Sequence, residues 1–217
     1  MDIKQKPWMA DCEIEIMDSL FQAQRPKRVL EWGAGGSTLY WPQQYDFIEE
    51  WVAIEHDEVF AEAVRVQAAG KVEVFDFLPP QYWQWVEHLG QFDMIIVDER
   101  HRVECLKVAR DLLAAGGIVV LHDSGRSGYN EAWKLWPRSE ELYPGEKLNE
   151  DGYYRHRGIT VFWRDKGVRQ AGWCREYQAE PLKRPKYKAP RQKRAPEPEP
   201  VTEIVEDNDQ AEDTALF

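Results

Sequence analysis

The amino-acid order predicts an α/β fold: a largely parallel, twisted open sheet with helices on both faces, followed by a charged C-terminal tail. Three observations carry that reading. Short apolar runs alternate with stretches of helical period from Pro7 to Arg164, which implies right-handed crossovers between parallel strands. The stretch Arg28-Val-Leu-Glu-Trp-Gly-Ala-Gly-Gly-Ser-Thr-Leu-Tyr40 joins a strand to a helix through a glycine turn, the ligand cradle of such sheets. Glu31, Glu55, Asp76, Asp98 and Asp123 each fall on or beside the carboxyl end of a strand, the rim where open α/β sheets bind ligands.

Each element has its own signal. Met9, Cys12, Ile16, Met17, Leu20 and Phe21 are spaced for one helical face, with Pro7 in a first turn, so a helix is expected over Pro7–Gln24. Arg25-Pro26-Lys27 breaks it before the first strand. Leu39-Tyr40-Trp41 begins the next helix, with Pro42 near its start or its end. Trp51–Glu55 is the second strand; His56-Asp57 opens a helix that buries Phe60, Ala63, Val64 and Ala68 and stops at Gly70. Lys71–Phe77 alternates as a third strand, Pro79-Pro80 ends it, and Tyr82–Leu89 is a short aromatic helix. Phe92–Asp98 is the clearest buried strand. A helix over Arg100–Ala115 follows, closed by Gly116-Gly117, and Ile118–Asp123 is the fifth strand. Glu131–Trp136 reads as helical, 137–158 as irregular and Ile159–Arg164 as a last strand. The expected organisation is an N-terminal helix on the sheet (1–27), a ligand-binding domain (28–165) and a low-complexity, largely disordered tail (166–217).

Bulk properties narrow the function classes. The 217 residues suffice for one α/β domain, and ten tryptophans with 43% hydrophobic content mark a globular chain. No run of eighteen apolar residues is present, and the N-terminus lacks the apolar core of a signal peptide, so a cytoplasmic protein is expected. Cys12, Cys105 and Cys174 are scattered, which implies neither a disulfide framework nor a zinc site. The net charge of −11 is uneven: residues 164–194 hold 11 basic and 3 acidic residues, and 195–217 hold 8 acidic and none basic. The acidic folded part is a poor surface for a nucleic-acid backbone. The basic segment 183–194 keeps nucleic acid open as a partner, although its prolines and acidic neighbour favour a solvated linker.

The glycine turn indicates the ligand. A dinucleotide fingerprint is only partly matched, because Thr38 takes the place of its third glycine. Glu31 stands two residues before the first glycine, where a carboxylate repels a pyrophosphate and attracts a cation. S-adenosylmethionine carries an ammonium and a sulfonium and no phosphate, so charge favours it over a nicotinamide dinucleotide.

With V-L-E-W-G-A-G-G-S-T, V-A-I-E-H-D, F-D-M-I-I-V-D-E-R and A-G-G-I-V-V-L-H-D-S in view, the chain resembles the class I S-adenosylmethionine-dependent methyltransferases over residues 28–123 and more loosely to 164. It looks most like the small catechol-type and macrolide-type O-methyltransferases, on a Rossmann-like sheet. The resemblance implies that Glu31 faces the methionine ammonium, directly or through water, and that Gly33, Gly35, Gly36 and Ser37 let the cofactor lie on the backbone. Glu55 would accept both ribose hydroxyls, with His56 beside it. Asp76 would reach the adenine amino group, with Phe77 along the ring. Asp98 would serve both cofactor and chemistry.

The same resemblance makes Asp98 and Asp123 two ligands of a Mg²⁺ ion that binds a substrate's oxygens. Ser124, a weaker ligand, stands where those enzymes place an asparagine. Their general-base lysine is replaced by His101, an imidazole being suited to proton abstraction near neutrality, and His122 is the competing base. Leu78-Pro-Pro-Gln-Tyr-Trp83 is similar to a motif of amino-methylating DNA enzymes but follows the third strand rather than the fourth. The expected activity is methyl transfer from S-adenosylmethionine to an oxygen of a small polar acceptor. The alternatives are a nucleic-acid or protein methyltransferase helped by the basic segment, or a non-catalytic adapter on the same fold.

Overall fold

The computed structural model describes residues 1–68, 70–129, 131–142 and 158–165, together with Val168 and Trp173. Among the described residues, seven strands form one sheet: β1 (Arg28–Trp32), β2 (Glu50–Glu55), β3 (Val72–Asp76), β4 (Phe92–Val97), β5 (Leu113–His122), β6 (Arg138–Leu142) and β7 (Ile159–Trp163). Their order is β3-β2-β1-β4-β5-β7-β6. The first five strands pair in parallel, whereas β7 runs antiparallel to both β5 and β6. The order reverses between β1 and β4, which opens a crevice above their carboxyl ends.

Alternation on the central strands sorts the core into two layers. Met94 and Ile96 face a cluster with Ile16, Met17, Phe21, Trp41 and Trp51, whereas Ile95 and Val97 face Trp32, Ile54, Leu106 and Leu121. The first layer is covered by α1 (Asp11–Gln24), α2 (Gly36–Gln44) and α3 (Glu58–Gln67). The second is covered by α4 (Gln81–Gln84), the 3₁₀ turn Trp85–Leu89, α5 (Arg102–Leu112) and α6 (Ala132–Leu135). At the amino-terminal edge, Arg28 forks onto Glu50 at 2.6 and 3.1 Å and donates to the carbonyls of Gln91 and Leu89. One side chain thereby ties β1 to β2 and to the approach of β4, and the carboxyl ends of these strands come out level.

Several boundaries differ from the sequence expectation. Helix α1 begins at Asp11 rather than Pro7, because Glu13 reaches back to accept the Ala10 N–H at 3.0 Å and so fixes the first turn. Strand β2 begins one residue earlier than expected, at Glu50, and β7 stops one residue short, at Trp163. Helix α5 stops at Leu112, and Gly116-Gly117 do not close it. They lie inside β5, in an irregularity where Phe92 pairs with Leu113 but Met94 pairs with Ile118. Strand β6 falls in the stretch expected to be irregular; its Arg-Ser-Glu-Glu-Leu sequence carries the charges of an edge strand and hides the alternation. Val168 and buried Trp173 pack on the core, Trp173 edge-on to Trp163 at 5.6 Å, so packing extends past residue 165. The remainder of the expected tail lies outside the described residues. Among the described residues, no helix is long and apolar enough to cross a membrane.

Residues 1–10 run as a strap from the end of α3 to the start of α2. Ile3 and Pro7 are buried, and the Ile3 N–H donates to Gln67 at 3.2 Å. A methyl group at Gly36 would sit 2.1 Å from the Lys6 carbonyl oxygen. A helical glycine-to-alanine change ordinarily stabilises. Here Gly36→Ala is expected to cost roughly 1–3 kcal/mol in urea denaturation through overpacking, and deletion of residues 1–8 should remove that cost. An unchanged or higher midpoint in the full-length variant would show that the strap does not press on α2.

Candidate functional site

The crevice is floored by the turn after β1. Gly33 has a φ of +104°, and a methyl group there would lie 2.9 Å from the Asp98 carbonyl oxygen and 3.3 Å from the Glu99 side chain. Only glycine lets β1 leave the sheet this close to the end of β4. Gly35 is more open, its nearest neighbour being the Phe60 ring at 3.9 Å. Its N–H donates to Thr38 Oγ1 at 2.8 Å, which shapes the entry to α2.

Glu31 lies beneath this turn, completely buried. One oxygen accepts the Ser37 hydroxyl at 2.5 Å; the other accepts the Thr38 hydroxyl at 2.6 Å and the Trp51 indole N–H at 3.0 Å. Burial pushes its pKa up to about 7, against the three donors that pull it down. The carboxylate therefore acts on the crevice through the Ser37 and Thr38 hydroxyls. Ser37 and Gly36, expected along the ligand, are committed to Glu31 and to the strap respectively.

Glu55 closes β2 beside the turn. Its Oε1 accepts the His56 and Asp57 N–H groups at 2.8 and 3.0 Å, and Asp57 caps α3 by accepting the Phe60 N–H. Glu99 comes from the end of β4 to the same spot, with His56 Nδ1 2.7 Å from Glu55 and 3.2 Å from Glu99. Burial and then the neighbouring Glu99 push the Glu55 pKa up to about 7. Asp76 stands farther out on β3, exposed and paired with Arg65 at 2.8 Å. Phe77 packs on Trp85 at 4.9 Å.

The other half of the rim is a charge cluster. Asp98 Oδ1 lies 2.7 Å from Arg102 Nη2 and 2.8 Å from His122 Nδ1, while His122 Nε2 lies 3.4 Å from Glu13 on α1. Burial would raise the Asp98 pKa, but His122 and Arg102 outweigh it and hold the carboxyl below its usual range. Burial would likewise lower the pKa of His122, but Asp98 and Glu13 outweigh it and push the ring up to about 10. A ring that keeps its proton well above neutrality is a fixed cation. Held in its protonated form by Asp98 and Glu13, His122 is a poorer proton acceptor than a free imidazole.

The Mg²⁺ expectation meets a similar obstacle. Arg102 is buried and stands between the two aspartates, 2.7 Å from Asp98 and 3.8 Å from Asp123. Asp123 also pairs with Arg126. Ser124, the position of the third ligand, is buried. A divalent ion does not fit between carboxylates already holding guanidinium groups. Among the described residues, the trio with metal-ligand spacing is instead Glu55, His56 and Glu99, whose ligand atoms lie within 4.8 Å of one another.

His101 sits at the start of α5, exposed, with its ring 5.8 Å from Trp83. Its φ is +57°, and Asp123 has a φ of +55°, so the residues leaving β4 and β5 both carry backbone strain on the rim. Sequence reasoning missed Glu13, Glu99 and Arg102. Glu13 did leave a signal, an acid in register with Ile16, Met17 and Leu20 on the apolar face of α1. Arg102 left none, since an arginine in a first helical turn normally reads as solvated.

Glu31 makes stability depend on pH. Its folded pKa is raised from 4.5 to about 7, so its contribution is fully present below pH 4.5 and is lost as pH rises through 7. Glu31→Gln should remove roughly 3 kcal/mol of that fall, a shift of this size being worth about 1.4 kcal/mol per unit. Urea midpoints at pH 5 and pH 8 check it: equal losses at both would contradict the sign, since the variant should gain on wild type at pH 8.

No protein-family model and no curated protein sequence matches the chain. Solved structures do match at the level of fold. The O-methyltransferase TomG from Streptomyces achromogenes, involved in tomaymycin synthesis and seen with S-adenosylmethionine, is 16% identical with a TM-score of 0.54, over 71% of this chain and 79% of that one. An O-methyltransferase from Bacillus cereus, seen with S-adenosylhomocysteine, is 18% identical with a TM-score of 0.54, over 71% and 82% of the two chains. A spermidine synthase in complex with the transition-state analogue AdoDATO is 21% identical with a TM-score of 0.53, over 79% and 68%. The chain thus has the Rossmann-like fold found in O-methyltransferases and in spermidine synthase.

Proposed function

We propose that the chain is an S-adenosylmethionine-dependent methyltransferase acting on an oxygen of a small polar acceptor, in the cytoplasm. The observation that carries this reading is the glycine turn at the β1/β4 crevice, with Glu55 beside it and Glu31 buried beneath it. That donor set suits a cationic nucleoside: carboxylates at the turn attract positive charge and accept hydroxyl donors, and they repel a pyrophosphate. The cofactor-bound O-methyltransferases of the same fold support the choice. The acidic rim favours a small acceptor over a nucleic acid.

In this reading Gly33 and Gly35 admit the cofactor to the backbone, Glu55 accepts its ribose hydroxyls, and Asp76 and Phe77 border the adenine. When bound, S-adenosylmethionine supplies a methyl group on a cationic sulfur that departs as a neutral thioether. The chain's own part is to align the acceptor oxygen in line with that methyl and to remove the hydroxyl proton. His101, exposed on the rim, takes that proton on its ring. Asp98, fixed as an anion by His122 and Arg102, orients the acceptor.

Calorimetry should find S-adenosylmethionine and S-adenosylhomocysteine binding and no NAD⁺ binding; the reverse preference would refute the reading. Glu55→Ala should weaken the cofactor by about 1.5–3 kcal/mol, the range for hydrogen bonds to a charged group. The complex needs the ionised carboxylate, so affinity should fall as pH drops below about 7. A pH-independent affinity would remove the ribose role. His101→Ala should cut turnover by about 10²–10⁴ without changing cofactor affinity; full turnover in that variant would exclude it as the base.

A further inference from the structure

We propose that Arg102 is the resident cation of this rim, occupying the space between Asp98 and Asp123 so that the site works without a divalent metal. The inference builds on the methyltransferase reading, because it is there that two converging carboxylates invite a metal. It is carried by the way the guanidinium is held.

Arg102 comes from the first turn of α5 and turns back under the rim. Its Nε donates to the Glu99 carbonyl at 2.7 Å, Nη1 to the His122 carbonyl at 2.5 Å and Nη2 to Asp98 Oδ1 at 2.7 Å. Three of the five N–H groups of a guanidinium are thereby directed at the ends of β4 and β5. The fork matches two backbone carbonyls and one carboxylate, a set of directed contacts that an ammonium or a spherical ion does not reproduce. The Tyr129 ring lies 5.5 Å from the guanidinium carbon, and the side chain is 7% exposed.

One oxygen of each carboxylate is also committed. Asp98 Oδ1 accepts Arg102 and lies 2.8 Å from His122 Nδ1. Asp123 is held by Arg126 on its outer side and faces Arg102 at 3.8 Å. Asp98, Asp123 and Glu13 thus meet Arg102, Arg126 and the His122 ring, and the local charge closes without a metal. A divalent ion entering here would meet Arg102 at contact distance inside a poorly solvated site, where repulsion between cations is strongest. The residue that follows, Ser124, is buried with its backbone N–H on the Gly158 carbonyl, and its hydroxyl has no hydrogen-bond partner among the described residues. Arg102 does two jobs at once: it locks β4 to β5, and it supplies a positive charge that Asp98 and Asp123 both face.

Mn²⁺ binding followed by electron paramagnetic resonance and water-proton relaxation tests this on the intact chain. Wild type should show no Mn²⁺ binding that is lost in Asp98→Asn. Any Mn²⁺ taken up at Glu55, His56 and Glu99 should survive that substitution, which fits the proposal. Arg102→Ala uncovers the two carboxylates and should gain Mn²⁺ binding at least tenfold tighter than wild type, a gain abolished in Arg102→Ala/Asp98→Asn. Arg102→Lys keeps the charge and should gain none. Wild-type Mn²⁺ binding that disappears in Asp98→Asn overturns the proposal, and it does so even if the Arg102 variants fail to fold. S-adenosylhomocysteine binding to wild type is measured in parallel. Its absence would count against the methyltransferase reading, whereas the Mn²⁺ result bears on Arg102 alone.

Discussion

A charge taken out of water must be paired, and in this chain that requirement gathers four elements at one point. Glu13 of α1, Asp98 after β4, His122 at the end of β5 and Arg102 of α5 form a continuous network within hydrogen-bonding reach. Removing any one member strands a buried charge, a defect that typically costs several kcal/mol. The network therefore fixes where the carboxyl ends of β4 and β5 stand relative to each other and to the N-terminal helix. Every later feature of the rim inherits that placement.

The other side of the crevice is governed by close approach. Gly33 passes so near the Asp98 carbonyl that the β1 turn and the β4 end form one surface. Glu31 then holds the turn from below, its two oxygens gathering Ser37, Thr38 and Trp51. A carboxylate that spends its hydrogen bonds on shaping the floor still leaves its negative field at the crevice. Glu55 and Glu99 add to that field on the β2 side. The two halves differ in kind: one is anionic and short of cations, the other is neutralised by arginines. The proposed methyltransferase reading puts a cationic cofactor on the first half, and an acceptor held by Asp98 and His101 on the second.

The strap over α2 connects both halves to the N-terminus. Residues 1–10 press on Gly36 while the helix they lead into contributes Glu13 to the charge network. The start of the chain thus bears on the glycine turn and on the charged rim through separate contacts.

The sequence by itself determined the sheet, the five parallel strands, the glycine turn and the acids at the strand ends, because each is written in a local pattern. Apolar runs of strand length, glycines at a turn and acids after β-branched stretches need no distant partner to be recognised. The partners were decided only by the tertiary structure. Glu13 and His122 are 109 residues apart, and nothing local tells either that it will be buried against the other. Nothing local to Arg102, in a first helical turn, marks that the end of β5 will accept its guanidinium. The irregularity in β5 arises because its first residue pairs with Phe92 and its centre with Met94, a mismatch set by the neighbouring strand. Strand β6 exists because β7 offers it a ladder, while its own residues carry edge charges. Local pattern chooses elements; burial and pairing between elements choose which charges meet, and in this chain those meetings make the site.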